Sequence, residues 1–341
     1  MSTILTQQAL QERLGAWLAA GRRVAAPVRV KPDRVLYAPV REASAVVLDG
    51  YIRPANSIKE FLFPRHEELY GYRRHGKQIE LVATADQPLP PQIVFGARPC
   101  DAAALPILDH VFRWDSKDAL YERRRAALTV VTIACTQCDA SCFCTSVGLS
   151  PAAERGSDAL LLPLGDGRYE LRALTDRGRA LFEGAGQPAD ATAPAFAGPP
   201  VRFAPPAIRA WLEQNFESPV WQGLAARCLG CGVCSFTCPT CHCFDIVDEG
   251  NSCGGCRARN WDGCQFAMFT LHASGHNPRA NQAQRQRQRI QHKFRIYPEK
   301  FGDLLCTGCG NCTRGCPVGL GMSGSLAALP LGAAEPAKAG T

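Results

Sequence analysis

The sequence predicts an α+β protein, with a mixed α/β domain at the N-terminus and a mainly helical domain after it. Three observations predict it. Short, branched apolar runs of strand length alternate with amphipathic stretches in the first half and fade in the second. Residues 1–99 hold no cysteine, whereas thirteen of the 18 cysteines lie between Cys228 and Cys316. Between the halves lies the Ala-, Pro- and Gly-rich run AGQPADATAPAFAGPP, which reads as a linker. The expected boundaries are 1–183 for the first domain, 184–206 for the linker, 207–322 for the second domain and 323–341 for a flexible tail.

Element by element, Thr6 to Leu18 carries apolar residues at helical spacing. Val35 to Tyr37, Ala45 to Leu48, Gln92 to Phe95 and Leu128 to Ala134 read as strands, and Asp101 to Phe112 as a helix between two of them. Leu160 to Leu164 and Tyr169 to Leu174 flank Gly165-Asp166-Gly167 and predict a hairpin. In the second half Ile208 to Phe216, Cys264 to Leu271 and Gln282 to Phe294 read as helices. After Met322 the residues become small, which predicts the tail.

Composition narrows the class. Hydrophobic residues make up 46% and charged residues 20% of the 341 residues, as in a globular chain. The apolar run Ala126 to Ala134 is far short of the roughly 18 residues of a membrane helix, so no membrane is expected. Met1 to Leu14 lacks the basic-then-apolar pattern of a signal peptide, which predicts a cytoplasmic protein. Eighteen cysteines in such a chain point to metal binding rather than to a disulfide scaffold. The net charge is +7, and Arg279 to Lys300 supplies +6 of it. On a helix Arg285 and Arg289 share a face. That face reads either as solvated surface or as a dock for an acidic partner subunit. Aromatic interleaving is sparse and no nucleic-acid motif is present, so no nucleic acid is expected.

The chemistry lies in two equal runs. Cys228, Cys231, Cys234 and Cys238-Pro239 have the same spacing as Cys306, Cys309, Cys312 and Cys316-Pro317. This is the ferredoxin spacing for [4Fe–4S] cubes, in which three thiolates two residues apart wrap one cube and the fourth ligates the other. By that rule one cube takes Cys228, Cys231, Cys234 and Cys316, and the second takes Cys306, Cys309, Cys312 and Cys238. Structural zinc instead uses two separated C-x-x-C pairs with four ligands in total. The 67 residues between the runs have helical character, which suggests the helical type of ferredoxin domain. Cys100, Cys135, Cys142 and Cys144 are the preferred set for a third cluster, with Cys138 spare. Zinc and inert packed thiols stay open for the same group. Cys100 and Cys135 each follow a predicted strand, which places them at one edge of a sheet. Arg98 and Asp101 flank Cys100 and suggest a local ion pair. His242 and His276 read as turn or surface histidines.

The stretch from Cys238 to Asp245, Asn260-Trp-Asp-Gly-Cys264, Gly275-His-Asn-Pro278 and His292-Lys-Phe294 resemble the β subunit of soluble nickel–iron hydrogenases (sulfhydrogenases). The first subunit of anaerobic sulfite reductase is similar. Asn56-Ser-Ile-Lys-Glu-Phe61, Gly96-Ala-Arg-Pro-Cys-Asp101 and Cys142-Phe-Cys-Thr-Ser-Val-Gly148 extend the resemblance over roughly residues 35 to 320. Cys241, Cys243 and Cys264 belong to that pattern and Cys253 and Cys256 are extra to it. The five could hold a further metal or simply pack. The resemblance implies an iron–sulfur electron-transfer subunit of an NAD(P)-linked complex. Its partners would be a flavin subunit that reacts with NAD(P)H and the small and large hydrogenase subunits, or else sulfite reductase subunits. No G-x-G-x-x-G dinucleotide loop placed after a predicted strand, no P-loop and no complete catalytic constellation is present, so the chain is expected not to be catalytic alone. A zinc-stabilised interaction protein is the alternative from another class.

Overall fold

The computed structural model describes residues 2–83 and 89–331. Part of the tail expected over 323–341 lies outside the described residues.

The first half builds an eight-stranded sheet. Its strands are β1 (Ser2–Thr6), β2 (Arg23–Lys31), β3 (Arg34–Val40), β6 (Gln92–Ala97), β7 (Leu128–Ile133), β8 (Ala159–Pro163), β9 (Arg168–Ala173) and β10 (Gln187–Ala189), in the order β10-β1-β9-β8-β7-β6-β2-β3. The centre is parallel, with β2 beside β6, β6 beside β7 and β7 beside β8. Both faces are covered. Helix Gln7–Ala19, capped by the Thr6 hydroxyl accepting from the Ala9 N–H (3.1 Å), lays Leu10 and Leu14 against Phe95, Ile133 and Leu161. On the opposite face helix Ala104–Phe112 sets Leu105 and Leu108 against Val94 and Val130. That double burial explains why β6 and β7 read as near-continuous apolar runs. The β8–β9 hairpin falls at the predicted place. The Ala45 to Leu48 strand does not form, and only a bridge from Val46 to Val28 remains. Gln187–Ala189, inside the expected linker, is a strand paired with β1.

A second sheet joins the two halves. It contains β4 (His66–His75), β5 (Gln78–Ala83), β11 (Phe244–Asn251) and β12 (Gly254–Trp261), in the order β11-β12-β4-β5. Strand β12 runs antiparallel to β4, with Gly254 opposite Arg73 and Asn260 opposite His66. The helical reading of the stretch between the two cysteine runs is therefore corrected, because it opens with a hairpin. Much of β11 is exposed, so no apolar alternation marks it. Of the helix read over Cys264 to Leu271 only a 3-10 turn, Ala267–Thr270, forms. The remaining helices of this half, Pro205–Gln214, Val220–Arg227 and Gln282–Gln291 with a π turn at His292–Ile296, pack on Ile208, Leu212, Trp221, Ile290 and Phe294. Met322–Ala327, read as the start of a loose tail, is a helix with Met322 and Leu326 buried in the same core. Its small residues make this close packing feasible: a Cβ on Gly321 would lie 2.1 Å from the Thr313 hydroxyl. Among the described residues no helix is long and apolar enough to cross a membrane.

Candidate iron–sulfur centre

Each cysteine run is a loop that closes into a single helical turn. Val233–Phe236 carries Cys234 in the first, and Asn311–Arg314 carries Cys312 in the second. Cys228, Cys231, Cys234 and Cys316 line one cavity, so the last cysteine of the second run sits with the triplet of the first. Reciprocally, Cys238 is the cysteine whose charge bears most strongly on Cys306, and it also acts on Cys309. Burial dominates the thiols. It pushes Cys234 up to about 11, Cys306 to about 12 and Cys309 to about 11. A thiol held in its protonated form by burial gives up that proton when iron takes its place. Cys238 moves the other way. A hydrogen bond from Cys241, opposed by burial and helped by Lys293, holds it well below the usual thiol range.

The residues present fit iron–sulfur cubes because hydrogen-bond donors are already aimed at the cysteine sulfurs. The Gln286 and Gln282 amides donate to Cys228 Sγ (2.9 and 3.2 Å). The Leu320 N–H donates to Cys316 Sγ and the Met322 N–H to Cys312 Sγ, both at 3.2 Å. Lys293 Nζ lies 3.5 Å from Cys238 Sγ and is anchored by Leu305 O and Thr240 Oγ1. Hydrogen bonds to sulfur are a principal way in which a protein tunes such a cluster. In addition, both terminal nitrogens of the buried Arg289 guanidinium, beside the first cavity, have no hydrogen-bond partner among the described residues.

The middle cysteines converge as well. Helix Pro99–Ala102 starts directly after β6 and Cys135 follows β7, so the parallel strands deliver Cys100 and Cys135 to one sheet edge. Together with Cys138, Cys142 and Cys144 they line a single cavity, which also touches Gly308 and Cys309 of the second run. Cys138 is the exposed member. The junction is tight. Phe143 N–H donates to Gly308 O (2.9 Å), and a Cβ on Gly308 would lie 2.5 Å from the Cys144 backbone. Gly308 holds φ +61°, which a side chain rarely adopts. Arg53 spans the junction, with one nitrogen donating to both Cys100 Sγ (3.2 Å) and Cys309 O (3.1 Å) and the other bidentate to Asp101 (2.7 and 2.8 Å). Arg314 donates to Cys142 Sγ (2.8 Å).

Several sequence expectations change. Asp101 pairs with Arg53, while Arg98 donates to Tyr51 O (2.9 Å) and covers the Tyr51 ring. Arg285 and Arg289 do not form a docking face, since both are buried. Arg285 bonds the backbone of Arg279 and Ala280, and Arg289 turns toward the cysteines. The five cysteines between the runs separate. Cys241 pairs with Cys238 and Cys243 with Cys264, while Cys253 and Cys256 lie out on the β11–β12 hairpin, where the charged neighbours of Cys256 are Glu68, Glu249 and Asp248. His242 bonds Thr240 O through Nδ1 (3.0 Å). Arg53, Lys59, Gln282, Gln286, Lys293 and Arg314 escaped notice as site residues. One signal was available: Gln282, Gln286, Arg289 and Lys293 recur at helical spacing on one face.

This geometry defines an iron–sulfur protein with a ferredoxin-like pair of four-cysteine sites. Residues 227–320 match the family model of the 4Fe-4S dicluster domain, which indicates two [4Fe–4S] clusters and electron transfer. The chain is 33% identical over 242 residues to sulfhydrogenase 2 subunit beta of Pyrococcus furiosus, covering 66% of this chain and 70% of that one. The chain belongs to the sulfhydrogenase beta-subunit family, a family of hydrogenase-type iron–sulfur oxidoreductase subunits. No solved structure matches it.

Proposed function

We propose that this chain is the electron-transfer subunit of an NAD(P)-linked nickel–iron hydrogenase complex, connecting a flavin subunit to the hydrogenase small and large subunits. We further propose that Cys100, Cys135, Cys142 and Cys144 hold a third cluster, next to the cube on Cys306, Cys309, Cys312 and Cys238. When bound, the cubes carry electrons singly, whereas NAD(P)H delivers a pair, which calls for a flavin on a partner to split it. The chain's own residues supply thiolate ligands and preset N–H donors, and they bury the sites. The observation that carries the reading is the Arg53 guanidinium, which touches Cys100 Sγ and Cys309 O at once. It makes the middle cysteines and the second run one continuous site. Against a zinc-stabilised interaction protein stand the two tandem four-cysteine runs, each closed by Cys-Pro, where structural zinc takes two separated C-x-x-C pairs.

The test is anaerobic isolation of the complex, with iron and acid-labile sulfide analysis and a hydrogen-uptake assay with NAD(P)⁺. About twelve irons in this chain support three cubes, about eight remove the third, and about four overturn the ligand assignment. A complex that reduces sulfite with no hydrogen uptake identifies the sulfite reductase type instead. The isolated chain is expected to be reduced by dithionite and to turn over neither hydrogen nor NAD(P)H. Turnover by the single chain would overturn its role as a conductor.

A further inference from the structure

Helix Gln282–Gln291 and the π turn after it point Gln282, Gln286, Arg289 and Lys293 inward. Three of these have acceptors: Cys228 Sγ for both glutamines, and Thr240 Oγ1, Leu305 O and Cys238 Sγ for the lysine. Arg289 has none. It is 4% exposed, and its Nη1 and Nη2 are both buried without a hydrogen-bond partner among the described residues. It lines the first cavity, and the cysteines acting on its charge are Cys234 of the first site, then Cys312 of the second, then Cys264 and Cys241. A buried guanidinium with no acceptor is costly, and it cannot relieve the cost by losing its proton. It lines the first cavity and lies within electrostatic reach of Cys312 of the second run, and its donors, unsatisfied among the described residues, call for an anionic acceptor. A four-thiolate cube is such an acceptor, and it becomes more negative when reduced.

We propose that Arg289 is the positioning residue that raises the reduction potentials of both cubes together. Its fixed charge stabilises the extra electron on whichever cube holds it, so both potentials rise together. The guanidinium stays charged throughout, so an electron passed between bound cubes would require no proton from it. This rests on the two-cube reading and adds the residue that sets its energetics.

The test is an EPR-monitored redox titration of the full chain, purified anaerobically, with iron counted in every sample. In Arg289→Gln both midpoint potentials fall, in Arg289→Lys both stay near the wild-type values, and in Arg287→Gln, where the lost guanidinium pairs with Glu217, neither moves. Native iron with unmoved potentials in Arg289→Gln overturns the proposal. So does a shift in one cube alone, or an equal fall in the Gln and Lys variants. Iron lost from both Arg289 variants makes the residue a structural support and overturns the proposal as well. Wild-type protein without two cube signals fails the dicluster reading itself.

Discussion

The two ferredoxin sites share one sequence motif and have different surroundings. The first site, with Cys228, Cys231, Cys234 and Cys316, is bordered by amides from Gln282, Gln286 and Gln265 and by the Arg289 guanidinium, and Cys231 and Leu229 are exposed at its rim. The second site has Cys238, Cys309 and Cys312 buried, the ammonium of Lys293 at Cys238, and the guanidinium of Arg53 on Cys309 O. Lys59 secures the loop after Cys238, donating to Ser235 O (3.2 Å) and Cys241 O (2.9 Å) while lying 4.0 Å from the Trp261 ring centre. The first site takes its amide donors from one helix of the second half, whereas the second is enclosed by residues from both halves of the chain. The motif sets which cube forms, and the residues around it set how readily that cube accepts an electron.

The largest effect comes from exchanging the distant ligands. Cys316→Ser removes the cube signal shared with Cys228, Cys231 and Cys234, and Cys238→Ser removes the other, each costing about four irons. If Cys238→Ser abolishes the first signal instead, each run closes on itself and the comparison collapses. Next, Arg53→Ala leaves Asp101 buried and uncompensated, which lowers stability by about 3–5 kcal/mol in denaturant unfolding. The same change loosens the second site while the spectrum of the first persists. Lys293→Met removes the ammonium from Cys238 and lowers the potential of the second cube by about 60–120 mV, taking about 1.5–3 kcal/mol for a charged hydrogen bond. Gln286→Leu removes a neutral donor from Cys228 and lowers the potential of the first cube by about 20–60 mV. Equal shifts in these last two variants, read by redox titration, would erase the distinction between the sites.

The legibility of the molecule follows the same division. Both runs were readable because their ligands are a few bonds apart and their spacing is covalent. Strands β6 and β7 were readable because burial on both faces leaves runs rich in branched apolar residues. The edge that brings Cys100 and Cys135 together followed from the strand ends. What stayed hidden depends on contacts distant in sequence. Arg53 and Asp101 are 48 residues apart and Arg53 and Cys309 are 256 apart, with no local pattern linking them. The alternating Gln and Arg of the helix at 282–291 looked like solvated surface, because an inward face that meets cysteine sulfur is polar. Strands β4 and β11 carry charges, since much of their surface faces water.

The sheet that joins β4 to β12 also gives the chain an order of assembly. As it leaves the ribosome from its N-terminus, the β4–β5 hairpin is complete about 170 residues before β12 emerges to pair with Arg73 and His66. Until then one side of β4 is an unpaired edge, a template for pairing with the wrong chain. Its charges, among them Glu67, Glu68, Arg73 and Arg74, suit that interval, because charged edge strands resist foreign pairing. Closing so distant a pair is slow by its topology. The run beginning at Cys306 follows β12 by more than forty residues, so the last ligands are made after the clamp between the halves has its full complement of strands.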